Sequence, residues 1–443
     1  MKRLLVSVAV FVLALRAVDA TFLEAVAVAL SLYTLLTFAD TIGRQIALLE
    51  CICSIASLEI LLVPAVTYWV FPSSMPVESS VYLSYALPAY LAFYTGLIWF
   101  SRNQPERAHF GQIQASVDYL QNKQSASIVL LIIGLGGYAV RTFVPTAPAS
   151  VGLVPSYCLF VSAFSAYYSK SALRLPIIGI VFVVLLAYTV QEGMFGELFL
   201  WLIFLTLFVA ARMPEPPTTR VKSGFILVAF AFLLLIQSIK GEYRRNTWGY
   251  QRGERSGDAS LLGELIADRL ANPEKMLNVG HVFVSFVRFN QGIMIGSAMA
   301  KVPTHEAYAN GEVLLSFIYP LVPRLLWPDK PQTGGYQNIR RFTTLRQSEN
   351  TSINLSPLGE GYVNFGYGGI FFALLYGLLL GGIFRRVIRV SGRVPSLIFW
   401  LPVLFIGCLT METDILSTWG SLANNIIFVA GLFWLTKRMG IHL

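Results

Sequence analysis

The stretch Ile46 to Phe71 is 26 residues long and carries only Glu50 and Glu59 as charges. A helix needs roughly 20 apolar residues to cross a bilayer, so a run of this kind leaves the chain few other folds. Comparable runs recur at Leu4 to Val18, Thr21 to Ala39, Val81 to Phe100, Ser127 to Val144, Leu153 to Ser169, Leu175 to Val190, Gly193 to Ala211, Ser223 to Ile239, Gly369 to Phe384, Leu397 to Met411 and Ser421 to Thr436. Twelve spans are therefore expected in an all-α polytopic membrane protein, because in lipid a helix satisfies its backbone hydrogen bonds within one segment. Only 13% of the residues are charged and the mean hydropathy is +0.63, where a soluble domain is about 25% charged.

Charge sets the expected orientation. With a cytoplasmic N-terminus, the inner segments carry 17 Lys or Arg, among them Arg102, Arg107, Lys170, Arg174, Arg385, Arg386, Arg389 and Arg393, against Arg16 and Arg141 at the short outer connections. Cytoplasmic loops collect basic residues. Both termini are thus expected inside, and the net charge of +9 calls for no nucleic-acid partner. The first segment, MKRLLVSVAVFVLALRAVDA, also suits a cleaved signal peptide; a multi-span protein needs no removable signal, and an uncleaved helix is expected. Cys51, Cys53, Cys158 and Cys408 fall in predicted spans without metal-ligand spacing to His109, His281, His305 or His442, so neither disulfide nor metal site is expected. The segment 101–126 reads as a cytoplasmic linker with no GxxxxGK[ST] phosphate loop.

The organisation expected is residues 1–240 with nine spans, 241–368 as one large extracytoplasmic loop with partly helical structure, and 369–443 with three spans. The loop holds 13 basic and 11 acidic residues, whereas the other 315 residues share 20 and 13, so any chemistry is expected there. Glu192, Glu197, Glu412, Asp414, Arg16 and Arg141 collect at predicted outer helix ends on the same side. For Glu50 and Glu59 a polar partner inside the bundle and a functional role are equally open.

The loop opens with GEYRRNTWGYQRGERSGD, read as irregular surface chain. A helix is expected from Asp258, with Leu261, Leu262, Leu265, Ile266 and Leu270 at helical spacing and Asn272-Pro273 as its stop. Over Met276 to Ala300 a single helix would set Val279, Val282, Phe283, Phe286 and Ile293 on one face and His281, Ser285, Arg288 and Gly292 on the other. His281 and Arg288 would then lie about 10 Å apart along a polar stripe. His281 is readable as a surface or capping residue as well as a catalytic one, while a lone arginine such as Arg288 in apolar surroundings asks for an anionic partner.

PLVPRLLWPDKP has four prolines in 12 residues and is expected to be an extended clamp bearing Arg324, Trp327, Asp329 and Lys330. Trp327 suits a lipid interface or a sugar ring, and Arg340, Arg341 and Arg346 suit phosphate or lipid head groups. In NLSPLGEGYVNFGYGG the glycines are expected to hold Glu360, Tyr362 and Asn364 at the mouth of the bundle, Glu360 as a general base or a helix cap.

Arg288 in its apolar context, PRLLWPDKP and GEGYVNFGYGGIFFALLYGLLLG together resemble bacterial oligosaccharide repeat-unit polymerases of the O-antigen polymerase (Wzy) type. The resemblance in architecture covers the chain, and in motifs Ser285 to Gly382. It implies a GT-C-like fold, related to the O-antigen ligases, and transfer of a growing glycan from undecaprenyl diphosphate to a lipid-linked repeat unit at the outer face of the bacterial inner membrane. No cofactor or metal is implied; the partners implied are the lipid-linked oligosaccharide, membrane lipid, a chain-length regulator and a flippase. On that reading Arg288 and Arg324, helped by Lys330, Arg340 or Arg341, hold the diphosphate. Glu360 is then the base with His281 as runner-up, and Trp327, Tyr362 and Asn364 touch sugar. Arginine suits this role, since its permanently charged fork matches phosphate oxygens. An O-antigen ligase-like glycan transferase would use the same donor. A polysaccharide or lipid transporter or flippase would need two matching halves, which the sequence does not display, and a non-catalytic assembly or sensing protein would use the loop to bind partners.

Overall fold

The computed structural model describes residues 2–443 except 102–108, 122, 145–146, 149, 214, 249–256, 278–282, 284–286, 323–326, 328–334, 347–352 and 442. The described residues are 80% helical, with no strand. Among the described residues eight helices are long and apolar enough to cross a membrane, beginning with Phe22–Thr41 (α2), Leu48–Val70 (α3), Ser79–Ile98 (α4) and Ser125–Phe143. Arg174–Glu192, Thr219–Thr247, Ser356–Ser391 and Ile415–Arg438 complete the set. The chain is a helical membrane-embedded protein. Each of the eight falls on one of the twelve expected spans; the other four coincide with shorter apolar helices, Lys2–Ala17 (α1), Leu153–Tyr168, Gly196–Arg212 and Pro395–Cys408.

Two helices form the centre. Gly369–Ser391 packs along α4, and the sequence explains how closely. A Cβ on Gly96 would collide with the Leu374 carbonyl oxygen, one on Gly377 with that of Phe93, and one on Gly381 with that of Leu97. Gly377-x-x-x-Gly381 thus lets two backbones touch, the device membrane helices use where lipid offers no hydrophobic drive to associate.

Proline shapes α3. Pro64 has no N–H to give the Ile60 carbonyl, the helix widens to a π-turn over Leu58–Leu62, and the Tyr82 hydroxyl donates to that carbonyl instead at 2.7 Å. Glu59 sits on this widened turn and is buried.

Three expectations for the loop are corrected. Gly241 to Thr247 is not irregular chain: Thr219–Thr247 (α5) is one 29-residue helix, about 43 Å long, whose last turns hold Lys240, Glu242, Arg244 and Arg245. Asn290 breaks the helix expected over Met276 to Ala300. Its side chain accepts from the Ile293 N–H and caps Gln291–Lys301 (α7), whose residues Gln291 to Met299 are all buried, Gly292 against Pro64. The two-faced stripe therefore does not continue through Arg288 to Gly292, and its members His281 and Ser285 lie outside the described residues. In the proline-rich stretch, Pro320 lies in a short 3-10 turn, Tyr319–Leu321, rather than in extended chain. The helix Ala259–Ala271 (α6), capped by Asp258 and ended at Asn272, matches its expectation.

His109 Nδ1 accepts the Ile46 N–H at 3.2 Å, and its ring lies against Phe384. Burial pushes its pKa down to about 4, from about 6.5 in an unfolded chain. Between those values the unfolded state binds more protons, so stability is full above about pH 6.5 and falls as pH drops toward 4. The loss should reach on the order of 3 kcal/mol. Thermal melts in detergent at pH 7 and pH 4.5 should show it, and His109→Gln should flatten that slope; an equal slope in the variant would remove His109 as its source.

Candidate functional site

The short turn from Met411 to Ile415 sits where several elements meet. Its two ends are held by buried carboxylates from distant parts of the chain: Glu59 Oε2 accepts the Met411 N–H at 2.6 Å, and Glu360 Oε2 accepts the Ile415 N–H at 2.7 Å. Asp414 then caps Ile415–Arg438 (α10) by accepting from Ser417. A buried N–H without a partner is costly, so each carboxylate fixes one end of the turn.

Cations gather beside the turn. Arg288 Nη2 lies 3.5 Å from Glu412 Oε2. Lys240 is within electrostatic reach of Arg288, Arg244 and Glu412, Arg244 of Arg288, and Glu59 of Glu412 and Arg288. Lys240 and Arg244 are four residues apart and share one face of α5. Arg244 is oriented by its bond to the Gly193 carbonyl at 3.0 Å and by stacking over Trp248 at 4.3 Å. The Lys240 ammonium has no hydrogen bond or ion pair among the described residues. Three cations from two separated segments thus lie within reach of one another, with Glu412 beside Arg288 and Lys240 and the buried Glu59 behind, an arrangement suited to an anion bearing more than one charge.

The expected site residues divide into four groups. Arg288 belongs to the cluster just described. Glu360, Tyr362 and Asn364 do not stand at a mouth: they lie on Ser356–Phe365 (α8), buried in the core. Glu360 is 1% exposed, and its second oxygen accepts from Asn338 Nδ2 at 3.3 Å. The Tyr362 hydroxyl donates to the Val302 carbonyl at 3.3 Å, and Asn364 bridges the Glu360 carbonyl and the Gly311 N–H at 2.7 and 2.9 Å. The physical reason is the glycines: Gly361 lies against Phe372 and Gly369, so they serve close helix packing rather than an open loop. Gly366, at φ +57, turns the chain between α8 and Gly369–Ser391 (α9).

Arg341 is already engaged. It bonds Glu306 at 2.8 Å and both oxygens of Glu312 at 2.9 Å, and these hydrogen bonds, that to Glu306 foremost, raise its pKa above the ordinary arginine value. Holding a diphosphate would require it to leave two carboxylates. Arg340 on Tyr336–Phe342 is exposed, and its carbonyl accepts from Lys301. Trp327 sets its ring edge-on to Tyr319 at 5.3 Å. His281, Arg324 and Lys330 lie outside the described residues, as does Asp329.

Sequence reasoning missed Lys240, Arg244 and the meeting of Glu59 with residues near 412. The first two had a signal, two cations at i and i+4 near the C-terminal end of an apolar helix; the third had none, because Glu59 and Met411 are 352 positions apart.

In comparison with known families, residues 81–392 match the model described as "Domain of unknown function (DUF8712)". No curated protein and no solved structure matches the chain.

Proposed function

We propose a function for this chain, which belongs to that DUF8712 family: it is a repeat-unit polymerase that moves a growing glycan from undecaprenyl diphosphate to a lipid-linked repeat unit. The observation that supports the reading is the convergence of Lys240, Arg244 and Arg288, with Glu412 beside Lys240 and Arg288, in a protein dominated by long apolar helices. The resemblance of Ser285 to Gly382 to Wzy-type enzymes supplies the substrate class. In this reading the four shorter apolar helices complete twelve spans, both termini are cytoplasmic, the protein sits in the bacterial inner membrane, and the cluster faces the periplasm.

In the reaction an acceptor hydroxyl oxygen attacks the anomeric carbon of the donor. The carbon–oxygen bond to the diphosphate breaks, the electron pair leaves with the diphosphate, and the hydroxyl proton passes to water. A glycosyl diphosphate already has a good leaving group, so the protein's main tasks are to position the acceptor and to stabilise the charge growing on the departing oxygen. Lys240, Arg244 and Arg288 are placed for the second task.

The test is analysis of lipid-linked glycans in cells lacking the gene and complemented with wild type or Arg288→Ala at equal membrane levels. Single lipid-linked repeat units should accumulate in the deletion and persist with Arg288→Ala. Accumulation of free lipid-linked polymer would favour the ligase-like transferase, and normal polymer in the deletion would sink both readings.

A further inference from the structure

The Arg288–Glu412 contact is long for an ion pair. Charge-assisted N–H···O bonds close to about 2.7–2.9 Å, whereas this one stands at 3.5 Å with the two side chains 45% and 26% exposed. Both ends are open to an incoming ligand. The backbone beneath Glu412 is not loose, since the turn is fixed at Met411 by Glu59 and at Ile415 by Glu360. The Glu412 side chain can therefore swing away without the turn unfolding.

Three cations held together without a ligand repel one another, and the partly exposed Glu412 carboxylate beside Arg288 and Lys240 relieves part of that cost. A diphosphate brings more negative charge than Glu412 and would replace it on Arg288. Once the glycan has left, however, three cations would hold the spent diphosphate tightly, and its release would limit turnover. A carboxylate tethered within reach of Arg288 competes for the same guanidinium at high effective concentration.

We propose that Glu412 is the displaceable counter-ion of the Lys240–Arg244–Arg288 cluster: a diphosphate headgroup takes its place on Arg288, and its return helps expel the product. The inference rests on the polymerase reading for the identity of the ligand and adds a release device to that site. It makes Glu412 a competitor of the substrate rather than a structural partner of Arg288.

The test uses the full chain in phosphatidylcholine nanodiscs, titrated with undecaprenyl diphosphate and, separately, with inorganic pyrophosphate. Glu412→Gln, nearly isosteric, should bind both probes roughly tenfold more tightly, the scale of one charge-assisted hydrogen bond, with slower dissociation. Arg288→Ala should weaken both, and the double variant should show no gain over Arg288→Ala. Unchanged or weaker binding by Glu412→Gln, with Arg288→Ala still defective, would overturn the counter-ion and leave the site standing. Undiminished lipid binding by Arg288→Ala would overturn the site itself. Binding of inorganic pyrophosphate without the lipid would overturn the headgroup assignment.

Discussion

Replacing Gly377 by valine is expected to prevent the protein from accumulating in folded form. The position has no room for a β-carbon: the Phe93 carbonyl oxygen occupies that place, and Leu97 N is 2.8 Å from it. Backbone atoms cannot rotate away as a side-chain tip would, so α9 and α4 must separate along their length. Gly96 and Gly381 flank the same seam, and their contacts open with it. Overpacking in a tight core costs about 1–3 kcal/mol; a clash with backbone on the central helix pair belongs at or above the top of that range. Membrane levels, size-exclusion profile and melting temperature would report the loss. Gly382→Ala is the control, because a β-carbon there meets only the Phe100 ring, at 3.4 Å. If Gly377→Val melts with wild type while Gly382→Ala does not, the seam is not what holds these helices together.

The difference between those neighbouring glycines also shows what the sequence could and could not convey. Hydropathy located all eight long apolar helices, because lipid imposes one requirement on every span and the requirement is written locally. Helix α6 was legible for the same reason, with its cap, apolar spacing and stop in consecutive residues. The break at Asn290 was not. That residue caps α7 while bonding Thr67 at 2.8 Å, and the helix it starts is buried on all sides, so no apolar stripe marks it. At the site, Arg288 stood out as a lone cation, but its companions Lys240 and Arg244 looked like the end of a span. Glu360 drew attention as a carboxylate among glycines; its burial depends on how α8 folds back on α9, which composition does not record.

Glu360 supports the sharpest distinction between chemistry and architecture. Both its oxygens are occupied, by the Ile415 N–H at 2.7 Å and Asn338 at 3.3 Å, and it is 1% exposed. Glu360→Ala would strand the Ile415 N–H in the core, at about 1–3 kcal/mol, and leave a cavity besides. A large drop in melting temperature is expected; under the proposed polymerase function, loss of polymer would follow from loss of fold. Glu360→Gln keeps an oxygen for Ile415, and Asn338 can turn its own oxygen toward the new amide. If Glu360 is a clamp on the turn below Glu412, this variant should fold and polymerise within about tenfold of wild type. A general base would behave otherwise: the amide cannot take a proton, and general-base catalysis contributes about 10²–10⁴-fold. A well-folded Glu360→Gln protein with polymer reduced a hundredfold would return Glu360 to the reacting atoms and require the helix Tyr336–Phe342, which carries Asn338, to open during turnover.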